Sequence, residues 1–158
     1  MPTNRETIGS LYEAFARGDA GTVLGQFDPA IVWMEAESIA YADRNPYVGP
    51  QQVGEGIFGR IATEWEGFSV NPERLLQDDD TVVALGRYRG TFRGTGRALD
   101  AQFVHVWTLQ AGRVTRFQQY ADTAQFARVM GTADAPVSAP AIVPGISGAS
   151  APGVSTPA

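Results

Sequence analysis

Cysteine is absent from the 158 residues, and so is lysine: all twelve basic residues are arginines. The missing thiol excludes cysteine nucleophiles, thiolate metal sites and disulfides, and it removes the usual marker of redox compartment. The missing amine excludes Schiff-base catalysis by a side chain and the phosphate-loop motif. A single histidine, His105, cannot build a multi-histidine zinc site. Carboxylates remain as metal ligands in principle, but no spacing among them points to a site. No apolar run approaches the ~18 residues of a membrane span, and no basic-then-apolar leader opens the chain, so the expected location is the cytoplasm. A net charge of −5 argues against a nucleic-acid partner.

With 44% hydrophobic residues the chain suits one domain with a real core. Thr3 and Glu6 are spaced as a capping box, and Ile8, Leu11, Tyr12 and Phe15 then recur at helical spacing. A short second helix is expected over 20–27, with Val23, Leu24 and Phe27 inward. "AIVWMEAES" reads as a strand and "IAYADRNPYVG" as a loop. Pro50 is placed to begin a third helix in which Val53, Ile57, Ile61 and Trp65 step by four, before Gly67 ends it. The period then changes to two. Residues 68–77, 81–93, 97–109 and 113–121 read as four strands, joined by "DDD", "GTG" and "QAG" as hairpins are. "TAQFARVMG" forms a closing helix, with Asp122 as its cap.

This order implies an α+β domain over residues 1–131, with helices on one side of a curved, mostly antiparallel sheet. Residues 132–158, "TADAPVSAPAIVPGISGASAPGVSTPA", hold five of the ten prolines and one charge. Such a composition cannot offset the entropy of ordering, and a flexible tail is expected there.

Alternation on the strand around "FVHVWTL" puts Phe103, His105, Trp107 and Leu109 on one face. His105 therefore points inward, either as a pocket residue or as a core residue satisfied by a backbone or tyrosine partner. Val104, Val106 and Thr108 share the other face, whose apolar character suggests cover from a second subunit. On the residues alone, Glu35 and Glu37 read as lying at the strand's exposed end. Asp122 follows Phe117, Gln119 and Ala121 out of phase, which turns it away from the interior. Arg87, Arg89, Arg93, Arg97, Arg113 and Arg116 read as a solvated or subunit-facing surface.

"LYEAFARGD", "VWMEA", "NPYVGPQQVGEGIF" and above all "VHVWTLQAGRVTRFQQYADT" resemble the SnoaL-like proteins of the ketosteroid isomerase and nuclear transport factor 2 fold group. The resemblance covers residues 4 to about 130. It implies a cone-shaped α+β barrel, the sheet wrapped around three N-terminal helices to enclose an apolar pocket, and a homodimer. It also implies acid and base chemistry without metal or cofactor. Aligning "VWMEA" places Glu35, or Met34 after a one-residue slip, at the isomerases' general base. His105 takes the position of their oxyanion-hole acid, and Tyr12 falls one residue from the position of their oxyanion-hole tyrosine. Gln119 stands where the cyclases carry an aspartate, and "GRYRG", with Tyr88, replaces the "R-x-D" of the epoxide hydrolases, which counts against their mechanism. Tyr41 and Tyr47 fall in the loop at the pocket mouth. Trp33, Phe58, Phe103 and Trp107 become walls, and Tyr88 and Phe117 complete the candidate ligand contacts. Two functions follow: an acid/base enzyme of isomerase, cyclase or dehydratase type acting on a small hydrophobic carbonyl compound such as a polyketide, steroid or terpenoid, with Glu35 and His105 catalytic, or a non-catalytic small-molecule binding protein.

Overall fold

A computed structural model describes residues 1–133. The expected tail, apart from its first two residues, lies outside the described residues. The chain begins with helix α1 (Asn4–Ala16), whose capping box is closed from both sides: Glu6 N donates to Thr3 Oγ1 at 3.1 Å, and Thr3 N donates to Glu6 Oε2 at 2.7 Å. Helix α2 (Ala20–Gly25) is capped by Asp19 and stops before Phe27. Phe27 is therefore the first residue of strand β1 (Phe27–Met34), not part of a helix as its spacing suggested; burial against Trp33 decides its place.

The expected loop holds a 3-10 turn (Ala40–Arg44) and a two-residue strand, β2 (Tyr47–Val48). Helix α3 (Pro50–Val53), a π-helical turn (Gly54–Phe58) and helix α4 (Gly59–Glu64) follow without a break. The extra residue of the π turn rotates the inward stripe, so Ile57 and Phe58 both reach the cavity. Trp65 is a correction. It opens strand β3 (Trp65–Asp78) opposite Phe92, and Gly67, with φ +61, belongs to an irregularity in that strand and not to a helix end. Tyr47 packs on the π turn so closely that a Cβ on Gly56 would stand 2.4 Å from its ring.

Strands β4 (Thr81–Phe92), β5 (Ala98–Gln110) and β6 (Arg113–Ala121) continue as hairpins. Ala111 and Gly112 take φ +49 and +75, the paired left-handed geometry of a tight hairpin turn. The sheet order is β2-β1-β6-β5-β4-β3, antiparallel except for the β1–β6 pair. This open, curved six-stranded sheet folds over the helices, and the core lies between them. Helix α5 (Thr123–Met130) closes one end; Asp122 accepts from Gln125 N at 3.1 Å, and Gly131 ends the helix at φ +74. No helix among the described residues is long and apolar enough to cross a membrane.

Surface ion pairs and one tight core contact complete the frame. Arg87 and Arg89 reach Asp100 at 2.7 and 3.5 Å, and Arg93 reaches Glu66 at 3.9 Å. These are solvated pairs that add little to stability. Gly86 of β4 lies under the Phe103 ring, where a Cβ would stand 2.6 Å from Phe103 Cζ and 2.3 Å from the Asn71 carbonyl oxygen. One of those neighbours is backbone and cannot yield. Gly86→Ala is therefore expected to destabilise by about 2–3 kcal/mol, seen as a lower urea midpoint at unchanged slope.

Candidate active site

The inward residues of β4, β5 and β6 alternate large and small so as to leave a hollow. His105 stands opposite Ala84 on one side and Gln119 on the other, and Trp107 stands opposite Phe117. Between this floor and the helices lies a cavity of about 650 Å³, part of it open to solvent at the mouth. Its walls are aromatic: Trp33 stacks on Phe117 at 3.6 Å between centroids, and Phe58 and Trp107 meet Trp33 edge-on. Such walls favour flat apolar ligands.

Glu35 is the first residue after β1, not a strand residue. Asn45 holds its backbone from both sides, accepting from Glu35 N at 3.0 Å and donating to Glu35 O at 2.9 Å. This clasp turns the side chain into the cavity, where it is 3% exposed. Oε1 accepts from the Trp33 indole at 2.7 Å. The Gln119 side chain is a second hydrogen-bonding neighbour of the carboxyl, and the residue lines the cavity beside it. Burial pushes the carboxyl up to about 7, against the opposing pull of the Trp33 bond, Arg60 and Gln119.

His105 lies at the base of the cavity with both ring nitrogens engaged. Nδ1 meets the Tyr12 hydroxyl at 2.7 Å, and Nε2 meets the Tyr88 hydroxyl. Trp107 Nε1 donates to Tyr12 at 2.9 Å, and Gln119 Nε2 donates to Tyr88 at 2.8 Å. Burial holds the imidazole down to about 3, so it is uncharged at neutral pH. The same desolvation raises both tyrosine hydroxyls far above their usual range and keeps them protonated. The resemblance had His105 itself donating to a ligand oxygen. Here the two hydroxyls stand on its nitrogens, so the ring has no nitrogen free to meet a ligand.

Its titration follows from this. The unfolded chain takes up a proton near 6.5, which the folded ring refuses until about pH 3, so His105 weakens folding as pH falls through that interval. In a proton and nitrogen NMR titration its one set of signals is expected to stay in the neutral form from pH 8 to pH 4. A midpoint near 6.5 would place the ring in water.

Of the other sequence-derived candidates, Trp33, Tyr41, Phe58, Tyr88, Trp107, Phe117 and Gln119 line the cavity. Tyr47 and Phe103 do not. Tyr47 is turned beneath the 3-10 turn, where its hydroxyl donates to the Tyr41 carbonyl at 2.6 Å, and Phe103 is stacked behind the imidazole at 4.0 Å. Tyr41 is held by Glu64 and by the Trp65 indole, with Arg60 over its ring at 4.7 Å. Gln119 bridges β6 to the segment after β1 by accepting from Ala36 N at 3.0 Å. The resemblance set Tyr12 one residue away from the oxyanion-hole position, yet its hydroxyl meets His105 in the cavity. Its place on the buried stripe of α1, with Ile8 and Leu11, was the available signal. No group of three or more His, Asp or Glu residues that could hold a metal ion occurs among the described residues.

An open sheet wound on helices around an aromatic cavity defines a cone-shaped α+β protein of the nuclear transport factor 2-like kind. Residues 8–117 match the SnoaL-like domain, and the chain belongs to that family. An NTF2-like protein from Burkholderia thailandensis is 32% identical, with TM-score 0.78 over 82% of this chain and 98% of its own. An NTF2-like protein of unknown function from Burkholderia pseudomallei is 28% identical, with TM-score 0.74 over 82% and 98%. TerC, co-crystallised with polyporic acid, is 26% identical, with TM-score 0.73 over 81% and 98%. No curated protein matches the sequence.

Proposed function

We propose that this chain is a cofactor-independent acid/base enzyme of isomerase, cyclase or dehydratase type, acting on a small, flat, hydrophobic carbonyl compound. The observation that carries it is the Glu35 carboxyl, buried yet lining an aromatic cavity, with a pKa near neutrality. A base is most useful when its pKa lies near the working pH. In the reaction, Glu35 takes the proton from the carbon beside the carbonyl. The enolate oxygen that forms accepts a hydrogen bond from Tyr12 or Tyr88, with His105 and Gln119 holding those hydroxyls in place. Glu35 then returns the proton to another carbon, to the alkoxide formed when the enolate attacks a second carbonyl, or to a β-hydroxyl group that leaves as water. TerC's complex with polyporic acid supports a small organic molecule as the occupant.

The test is exchange of the α-hydrogen for deuterium in a panel of aryl and steroid ketones, followed by mass spectrometry. Catalysed exchange supports the enzyme, and binding without exchange supports the second reading, a ligand-binding protein. Gln119 favours that second reading, because an amide cannot exchange a proton where the cyclases use an aspartate.

The partner of the outer sheet face is a second copy in this proposal. Leu85, Val104 and Tyr120 stand in one register row across β4, β5 and β6, with Leu85 and Tyr120 exposed. A dimer mass in light scattering that Tyr120→Arg reduces to a monomer is the expected result.

A further inference from the structure

The hydroxyls of Tyr12 and Tyr88 and the ring of His105 form a chain whose protons can be counted. Trp107 and Gln119 hold its two ends by donating to the tyrosine oxygens. The indole can only donate, and the amide of Gln119 is fixed with its nitrogen toward Tyr88 because its oxygen accepts from Ala36 N. Tyr12, neutral His105 and Tyr88 carry one polar proton each, three in all, and two hydrogen bonds join them. One proton is left over. Neither hydroxyl has another acceptor within reach among the described residues, and both residues line the cavity.

Which tyrosine holds the spare proton depends on the histidine tautomer. With the ring proton on Nδ1, the ring donates to Tyr12, Tyr88 donates to Nε2, and Tyr12 is free to donate into the cavity. Tyr88 then keeps one lone pair, because its oxygen accepts only from Gln119. With the ring proton on Nε2 the roles reverse. The pair therefore offers one donor and one acceptor at any moment, never two donors, and the two can exchange places.

We infer that His105 is a positioning residue that sets this polarity, and that the relay selects ligands carrying a carbonyl and a hydroxyl on one edge, above all an enolised β-dicarbonyl compound. The inference rests on the reading that the cavity takes a carbonyl compound, and it narrows the class. In such a ligand the carbonyl oxygen accepts from one tyrosine and the hydroxyl donates to the other. Carbonyl and enol can then trade places by a closed shift of four protons. The ligand hydroxyl proton passes to Tyr88, the Tyr88 proton to Nε2, the Nδ1 proton to Tyr12, and the Tyr12 proton to the former carbonyl oxygen. No charge is created, and every group keeps its bonds. The depressed basicity of His105 suits this, since an imidazolium would break the count by adding a proton.

The test uses the full chain with nitrogen-labelled histidine near pH 7, where nitrogen shifts of the single ring report which nitrogen carries the proton. The probes are benzoylacetone and its gem-dimethyl derivative, which keeps both carbonyls but cannot enolise. The enolising probe is expected to bind about tenfold more tightly and to change the tautomer ratio. With that probe bound, Tyr12→Phe leaves Tyr88 as the only donor and moves the ring proton to Nε2; Tyr88→Phe moves it to Nδ1. Equal binding of both probes with an unmoved tautomer overturns the relay while leaving a carbonyl pocket standing. Binding of neither probe overturns the ligand class and the carbonyl reading with it. A doubly protonated ring near pH 7 overturns the proton count itself.

Discussion

Glu35→Gln is expected to abolish turnover while making the protein more stable. The amide keeps the shape of the side chain and can still accept from the Trp33 indole, but it cannot take a proton. Loss of a positioned base lowers kcat by about 10²–10⁴-fold, and ligand affinity should hold because the aromatic walls are unchanged. The stability effect has a defined sign. The carboxyl titrates near 4.5 in the unfolded chain and at about 7 in the folded one, so the folded state holds the proton more firmly between those values. Stability is therefore full below about pH 4.5 and falls as pH rises toward 7. Glutamine removes that loss. At pH 8 the variant should exceed the parent by up to about 3 kcal/mol, and the difference should vanish near pH 4.5, read from urea melts at both pH values. A base that costs stability where it works is the pattern of a functional group. A carboxylate kept for structure would show the opposite sign.

The second large effect is expected from the paired variant Tyr12→Phe, Tyr88→Phe. Both hydroxyls lie in the cavity on the two nitrogens of His105, and either can donate to a developing oxyanion. Removing both donors should lower kcat by about 10²–10³-fold, whereas each single variant leaves one donor and loses less. KM should rise by no more than about tenfold, because the hydrogen bond strengthens mainly as charge develops. Circular dichroism of the double variant guards against a folding defect, since His105 then sits among phenyl rings with both nitrogens unpartnered. A rise in KM at constant kcat would instead mark the tyrosines as ground-state ligand contacts alone, with no share in stabilising the oxyanion.

Much of this frame was legible in the sequence, for identifiable reasons. Strict alternation on β5 turned His105 and Trp107 inward, and "QAG" and "DDD" marked hairpins because few residues accept their turn geometry. Asp122 read correctly as a cap because it broke phase with Phe117 and Gln119. Helix ends were less legible. Val53, Ile57, Ile61 and Trp65 step by four, but the π turn at Gly54–Phe58 consumes a residue, and pairing with Phe92 draws Trp65 into the sheet. Neither event has a local signature.

The site was legible only where one element sufficed. Glu35 depends on the Asn45 clasp ten residues away, and Tyr12 meets His105 across 93 residues of chain. Tyr47 reads as a mouth residue and Phe103 as a wall residue in sequence, yet tight contacts with Gly56 and Gly86 seat them outside the cavity. Periodicity says which way a side chain leaves the backbone. What it then meets is decided by elements far apart in the chain.

The most direct measurement is a carbon NMR titration of the Glu35 carboxyl, assigned by its disappearance in Glu35→Gln. A midpoint near 7 is expected, displaced further when a ketone fills the cavity and removes the remaining water. A midpoint near 4.5, unmoved by any ligand, would mean a solvated carboxylate and would contradict the role of Glu35 as the base of an apolar site.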